Sequence, residues 1–267
     1  MRKIDINECH DILIDMAMEF HRICTKHNIP YYMLGGTMLG AIRHKGFIPW
    51  DDDMDFGIPR EYYKQFTEVC QIELKEPYAF KHLQNSEYAV LGIGKLVATN
   101  TVVRELYAVK SEEKLGVNID IFPLDYTNDA TSLMSFNGRM RALFKLQKLL
   151  FVNPNDRPFF KRCLAKTVRT LLPLDKHTIL NYIDTEYSRR KNKTKNTMVF
   201  NLFGAWGFKE LIPIDVFGVP TLYEFEKIKL YGVENFDKYL RLMYSDYQIL
   251  PPEDKRHIHF NETYIYD

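Results

Sequence analysis

The chain has 267 residues, 46% hydrophobic and 27% charged, with a formal net charge of +1. That composition describes an ordinary globular protein with enough apolar material for one sizeable domain, or one domain with a large elaboration. No run approaches the ~18 apolar residues of a spanning helix, and "MRKIDINECHD" has no apolar core behind its basic residues, so no signal peptide is expected and cytoplasmic residence follows.

Taken in chain order, Ile12, Leu13, Met16, Phe20 and Ile23 recur at helical spacing and predict a helix over 8–27, ended by Asn28 and Pro30. "PYYML" reads as a short strand that Gly35-Gly36 interrupts, and "TMLGAIRH" as a short helix with Thr37 near its start. After the loop "KGFIPW", "DMDFGI" alternates as a strand, its aspartates on one face and Met54 and Phe56 on the other. A helix from Arg60 to about Leu74 follows. "YAFKHL", "VLGIGKLV" and "VVRELYAV" read as strands, and "GVNIDIFPLD" as another that Pro123 ends. Residues 131–195 read as mainly helical, with turns at "NPNDRP" and "LPLD". The tail offers strands near "YEFEKIKLY", a helix over "NFDKYLRLMY" and a turn at "LPPEDKR". The expected organisation is an α/β (α+β) core with a mixed sheet over 1–130, a helical basic subdomain over 131–195, and a closing segment over 196–267 that completes the core.

Charge is uneven along this order. Residues 138–195 hold 15 Lys or Arg against 4 Asp or Glu, a local net of +11, densest at Arg189, Arg190, Lys191, Lys193 and Lys195. Such a block is either the solvated face of amphipathic helices or a surface for polyanions or anionic lipid. The four cysteines are scattered without a C-x-x-C pair, so reduced structural thiols are expected rather than zinc ligands or disulfides.

The chemistry concentrates in "IPWDDDMDFGI". Asp53 and Asp55, two apart on a strand, project from one face and repel unless a cation lies between them. Oxygen-only ligands suit magnesium or manganese. Asp120, on a second alternating strand, would add a third carboxylate. Gly35, Gly36 and Thr37 sit between a strand and a helix, where close backbone approach and free N–H groups suit a phosphate. Arg43, His44 and Lys45 follow one helical length later as candidate phosphate clamps. Strand, Gly-Gly-Thr, helix, D-x-D and a later strand Asp together read as a phosphoryl-transfer site. Asp51 and Asp52 tune that site, bind a second cation, or cap the turn.

"LGGTMLGAIRHKGFIPWDDDMDFGI" resembles the signature of the LicD family, which includes fukutin and the fukutin-related protein. "GVNIDIFPLD" is similar to its second motif, "GKLVATNT" to a basic strand between the two, and "YLRLMYSDYQILPPEDKR" to its C-terminal block, with Ser245 in place of the usual Gly. The resemblance implies a nucleotidyltransferase-type fold. It implies transfer of a phosphorylated head group, phosphocholine or similar, from a CDP-linked donor such as CDP-choline to a sugar hydroxyl of a cell-surface glycan, lipopolysaccharide or teichoic acid, with CMP released. On that analogy Gly35, Gly36 and Thr37 hold donor phosphates, Asp53 and Asp55 hold Mg2+ or Mn2+, Asp120 completes the metal site or acts as base, and Lys95 contacts substrate. A trimethylammonium would lie on aromatic faces. Candidates are Tyr31, Tyr32, Trp50, Phe203, Tyr107 and, foremost, Trp206 in "FGAWGF". The expected partners are that donor and a glycan acceptor, lipid-linked at an anionic membrane face, and not a nucleic acid. The rival readings are a nucleotidyltransferase acting on a protein or small molecule, and a non-catalytic glycan-binding or assembly protein.

Overall fold

The computed structural model describes residues 1–86, 92–105, 115–128, 136–151, 159–171, 177–189, 197–253, 256 and 260–266. After a short strand β1 (Arg2–Ile4), helix α1 (Ile6–Lys26) starts at a capping box. The Glu8 N–H donates to Asp5 Oδ1 at 2.9 Å, and the Asp5 N–H donates to Glu8 Oε2 at 3.1 Å, which satisfies two donors that a helix start leaves open. The periodic face read from the sequence is the buried one: Leu13, Met16, Ala17 and Phe20 are inaccessible. Phe20 packs on Tyr31 and on Phe56 with ring centroids 4.7 Å away in both cases.

That helix covers a mixed sheet ordered β2 (Tyr32–Met33), β3 (Asp55–Pro59), β7 (Asn118–Thr127), β5 (Gly94–Ala98), β4 (Tyr78–Lys81). β3 and β7 run parallel, and the other neighbours are antiparallel. Helices α2 (Gly35–Arg43) and α3 (Arg60–Glu73) flank β3 in sequence. Strand β6 (Thr101–Glu105) belongs to a separate three-stranded sheet with β1 and β12 (Phe260–Ile265). The rest of "VVRELYAV", including Tyr107, lies outside the described residues.

Two boundaries differ from the reading above. β3 opens at Asp55, so Asp53 lies in the extended lead-in rather than on the strand. β7 does not stop at Pro123 but continues to Thr127. The Asp120 N–H points to β3, donating to the Met54 carbonyl at 2.9 Å. By alternation position 123 faces the other edge, where pairing with β5 has ended at Ile121 and pairing with β8 (Met198–Phe200) begins at Asp125. Among the described residues the N–H that proline lacks would have had no ladder partner there, so the strand passes through it at no cost.

β9 (Leu211–Pro213) pairs with β8, so residues C-terminal to the helical segment extend the central sheet. Short helix α7 (Ile214–Phe217), hairpin β10 (Thr221–Phe225) and β11 (Ile228–Gly232), and α8 (Phe236–Tyr244) follow, ahead of β12, with Asn235 accepting from the Lys238 N–H as the α8 cap. Between core and closing segment lie α4 (Phe136–Phe151), α5 (Phe159–Leu171) and α6 (Thr178–Arg189). The turns at "NPNDRP" and "LPLD", and Arg190, Lys191, Lys193 and Lys195, lie outside the described residues. Arg60 ties α6 to the sheet: its guanidinium donates to both Asp125 carboxylate oxygens, at 2.7 and 2.9 Å, and to Asp184 of α6. Burial is strong enough at Asp125 to raise its pKa above the ordinary carboxylate value despite this arginine. Among the described residues no helix is long and apolar enough to cross a membrane. Cys9, Cys24 and Cys70 are buried free thiols, and Cys163 is exposed and free.

Candidate active site

The parallel register sets Asp55 directly opposite Asp120. Asp53, Asp55, Asp120 and also Asp51 line one cavity of about 380 Å³, with Gly35 and Gly36 on its wall. The acidic run is therefore split: Asp51 faces the cavity, whereas Asp52 is buried at 3% exposure and does not line it. Asp55 is held well above the ordinary carboxylate range, first by burial and then by Asp53, Asp120, Asp51 and Glu210. A carboxyl group surrounded in this way ionises readily only when a cation joins it.

The two glycines bring the start of α2 onto these acids. Gly35 has φ +49°, and a Cβ there would stand 3.2 Å from Asp55 Oδ2. At Gly36 a Cβ would stand 2.7 Å from Asp51 Oδ2, closer than side chains approach. No side chain caps the helix at Leu34; the Gly35 N–H donates instead to the Tyr239 hydroxyl at 3.0 Å. The positive end of the helix thus faces the acidic cluster, as it would face an anionic ligand. Thr37 is buried, and its hydroxyl accepts the Asp55 N–H at 2.8 Å. It fixes the strand rather than facing the cavity. Lys95 lies across from Asp120 on β5 and donates to Asp120 Oδ1 at 2.6 Å and Asn118 Oδ1 at 2.8 Å. It orients the carboxylate and offsets part of the local negative charge.

Of the other expected ligand contacts, Arg43, His44, Lys45 and Trp50 do not line the cavity. α2 is nine residues long, so Arg43, His44 and Lys45 sit about 13 Å from Gly35, at the negative end of the helix. Arg43 donates to the Tyr247 carbonyl at 2.8 Å and to His44 Nε2 at 2.9 Å. Burial, then Arg43, lowers the basicity of His44. Lys45 turns the chain at φ +63°, its carbonyl accepting the Glu226 N–H at 2.7 Å. Trp50 carries the Arg256 guanidinium over its ring at 4.5 Å. Of the other aromatic candidates, Tyr31 and Tyr32 are core residues, while Phe203 and Trp206 line the cavity.

The cavity also contains groups the sequence did not single out. Glu210, Tyr244, Asn201 and Lys148 all line the cavity. Glu210 ends a 3-10 turn (Gly207–Glu210) and accepts the Trp206 N–H at 2.8 Å. Burial lifts its carboxyl to about 7, against the pull of that N–H, Arg141, Asn201 and Lys148. The Trp206 and Tyr244 rings meet edge to face with centroids 5.6 Å apart. Lys209 Nζ stands 5.4 Å from the Trp206 ring centroid, so that ring already attracts one cation. The available signal was a glycine-flanked aromatic loop ending in a lone acid.

Among the described residues no three acidic, histidine or cysteine side chains form a ready metal cage. The donors are all oxygen, however, and magnesium is commonly held by one or two carboxylates together with water and substrate phosphates. The pair Asp53 and Asp55, on a cavity faced by a helix N-terminus, fits that mode.

A parallel strand pair carrying opposed aspartates beside a glycine-started helix defines a nucleotidyltransferase-type core. Residues 28–165 match the LicD/FKTN/FKRP nucleotidyltransferase domain, and the chain belongs to that family. It is 27% identical over 271 residues to the lipopolysaccharide cholinephosphotransferase LicD of Haemophilus influenzae, covering 99% of this chain and 100% of that protein. An uncharacterised protein of Rickettsia typhi is 39% identical over 80 residues, 30% of this chain and 25% of the relative. The solution structure of the antibiotic-resistance factor ANT(2'')-Ia aligns over 70% of this chain and 94% of its own at 14% identity. Its TM-score of 0.23 is too low to bear on the fold.

Proposed function

We propose that this protein transfers phosphocholine from a CDP-linked donor to a sugar hydroxyl of a cell-surface glycan, releasing CMP, at the cytoplasmic face of the membrane. The observation that carries the proposal is one cavity lined by two unlike sets of groups. One set is the Asp51, Asp53, Asp55 and Asp120 carboxylates with the start of α2, which suit a metal-neutralised diphosphate. The other is the Trp206–Tyr244 corner and the Glu210 carboxylate, which suit a quaternary ammonium. The two-carbon tether of phosphocholine would join them. Full-length similarity to a cholinephosphotransferase supports the same head group.

Asp53 and Asp55 would hold magnesium or manganese, which supplies charge neutralisation at the transferring phosphoryl group. Gly35 and Gly36 let the α2 backbone approach the donor phosphates. Asp120, oriented by Lys95, takes the proton of the acceptor hydroxyl as its oxygen bonds to the distal phosphorus and CMP departs. A second cavity of about 480 Å³ runs between α3 and α6 and shares Ile93 and Phe203 with the first. Its Thr67, Gln71, Gln84 and Ser188 side chains suit the hydroxyl groups of an acceptor sugar.

The test is incubation of the protein and magnesium with lipopolysaccharide and, separately, CDP-choline, CDP-ethanolamine, CDP-ribitol and CTP. Acceptor-dependent CMP release from CDP-choline is expected, abolished by EDTA. Pyrophosphate release from CTP would identify a nucleotidyltransferase instead, and CMP release from CDP-ribitol alone would refute the head group.

A further inference from the structure

Helix α5 turns its apolar face outward. Phe159, Phe160, Leu164 and Leu171 are 69%, 84%, 53% and 72% exposed. At 3.6 residues per turn these four positions fall within an arc of about 140°. Elsewhere α1 and α8 bury their apolar stripes, as an amphipathic helix on a globular domain does. Here that stripe is left to solvent, and a contiguous exposed apolar face marks a contact surface.

Charge narrows the occupant. α5 contains Lys161, Arg162, Lys166 and Arg169 and no acidic residue. The enclosing stretch 138–195 carries 15 basic residues against 4 acidic ones. An apolar face on an exclusively basic helix matches a surface that is oily within and anionic at its border. We propose that α5 lies in the interface of an anionic lipid bilayer, with Phe159, Phe160, Leu164 and Leu171 inserted among the acyl chains. The basic residues of the helical segment add electrostatic attraction. This inference is independent of the donor chemistry: it holds or fails whichever head group is transferred.

The experiment is co-flotation of the full-length protein with vesicles of phosphatidylglycerol and phosphatidylethanolamine, and with vesicles of phosphatidylcholine. At least tenfold tighter binding to the anionic vesicles is expected, weakening but not vanishing as salt is raised. The double substitution Phe159→Ser with Phe160→Ser removes only exposed side chains, and should lower that binding at least tenfold with an unchanged melting curve. A Phe160→Trp variant should gain fluorescence that brominated lipids quench. Failure of the wild type to float, binding unaltered by the double substitution, or Phe160→Trp emission that brominated lipid leaves unquenched would each overturn the proposal. A dimer in sedimentation that the double substitution disperses, without vesicle binding, would assign the face to a second copy of the chain and overturn it equally.

Discussion

Glu210 supplies the most quantitative test of the cavity. Its carboxyl is raised from 4.5 to about 7, mainly by burial. In an unfolded chain the group loses its proton near 4.5, whereas the folded protein keeps it up to about 7. Between those values the native state binds the extra proton, so this group lowers stability as pH rises. The full difference is about 3 kcal/mol above pH 7 and about zero below pH 4.5. Glu210→Gln retains an oxygen to accept the Trp206 N–H and removes the titration. The variant should match the wild type at pH 4.5 and exceed it by about 3 kcal/mol at pH 8, about 6–12 °C in melting temperature. Urea unfolding at the two pH values without added metal measures this. A difference that does not change between pH 4.5 and 8, or a variant less stable at pH 8, would refute the assignment of burial as the cause. Turnover of CDP-choline should fall in the same variant, because the carboxylate that costs stability is the one proposed to face the ammonium.

Asp53→Asn and Asp55→Asn should each lower CMP release by about a thousandfold or more at saturating magnesium while the melting curve shows a folded protein; near-normal turnover in either would sink the metal assignment. Asp120→Asn should slow single-turnover transfer by orders of magnitude with donor affinity little changed, whereas His44→Ala, outside the cavity, should leave both within about twofold. The reverse pattern would move the role of base from Asp120 to His44. Arg60→Met leaves the buried Asp125 without its partner and should cost about 3–5 kcal/mol in urea unfolding; a loss below about 1 kcal/mol would mean that Asp125 takes up a proton cheaply.

The acidic part of the cavity was legible because its residues are contiguous: Gly35 to Asp55 spans one helix and one turn, and Asp120 sits in a strand with its own alternation. The Trp206–Glu210–Tyr244 part was not. Glu210 and Tyr244 reach the cavity through the pairing of β8 with β7 and the packing of α8, and neither contact has a local signature. The Arg43–Lys45 run is close to Gly35 along the sequence yet does not line the cavity. A helix turns that interval into length and sets the run at the far, negative end of α2. The strand stop at Pro123 failed because a proline interrupts a ladder only where a donor is needed, and the vacant stretch of edge between β5 and β8 is a tertiary fact.

The bond from the Gly35 N–H to the Tyr239 hydroxyl joins residues 204 positions apart. During synthesis the carboxylates and the glycine turn leave the ribosome long before α8 does. The growing chain therefore carries an acidic cluster with its helix start unclosed until α8 emerges, and no product shorter than that can complete the cavity. A chain truncated before Tyr239 would retain the recognisable motif while lacking the group that closes the start of α2.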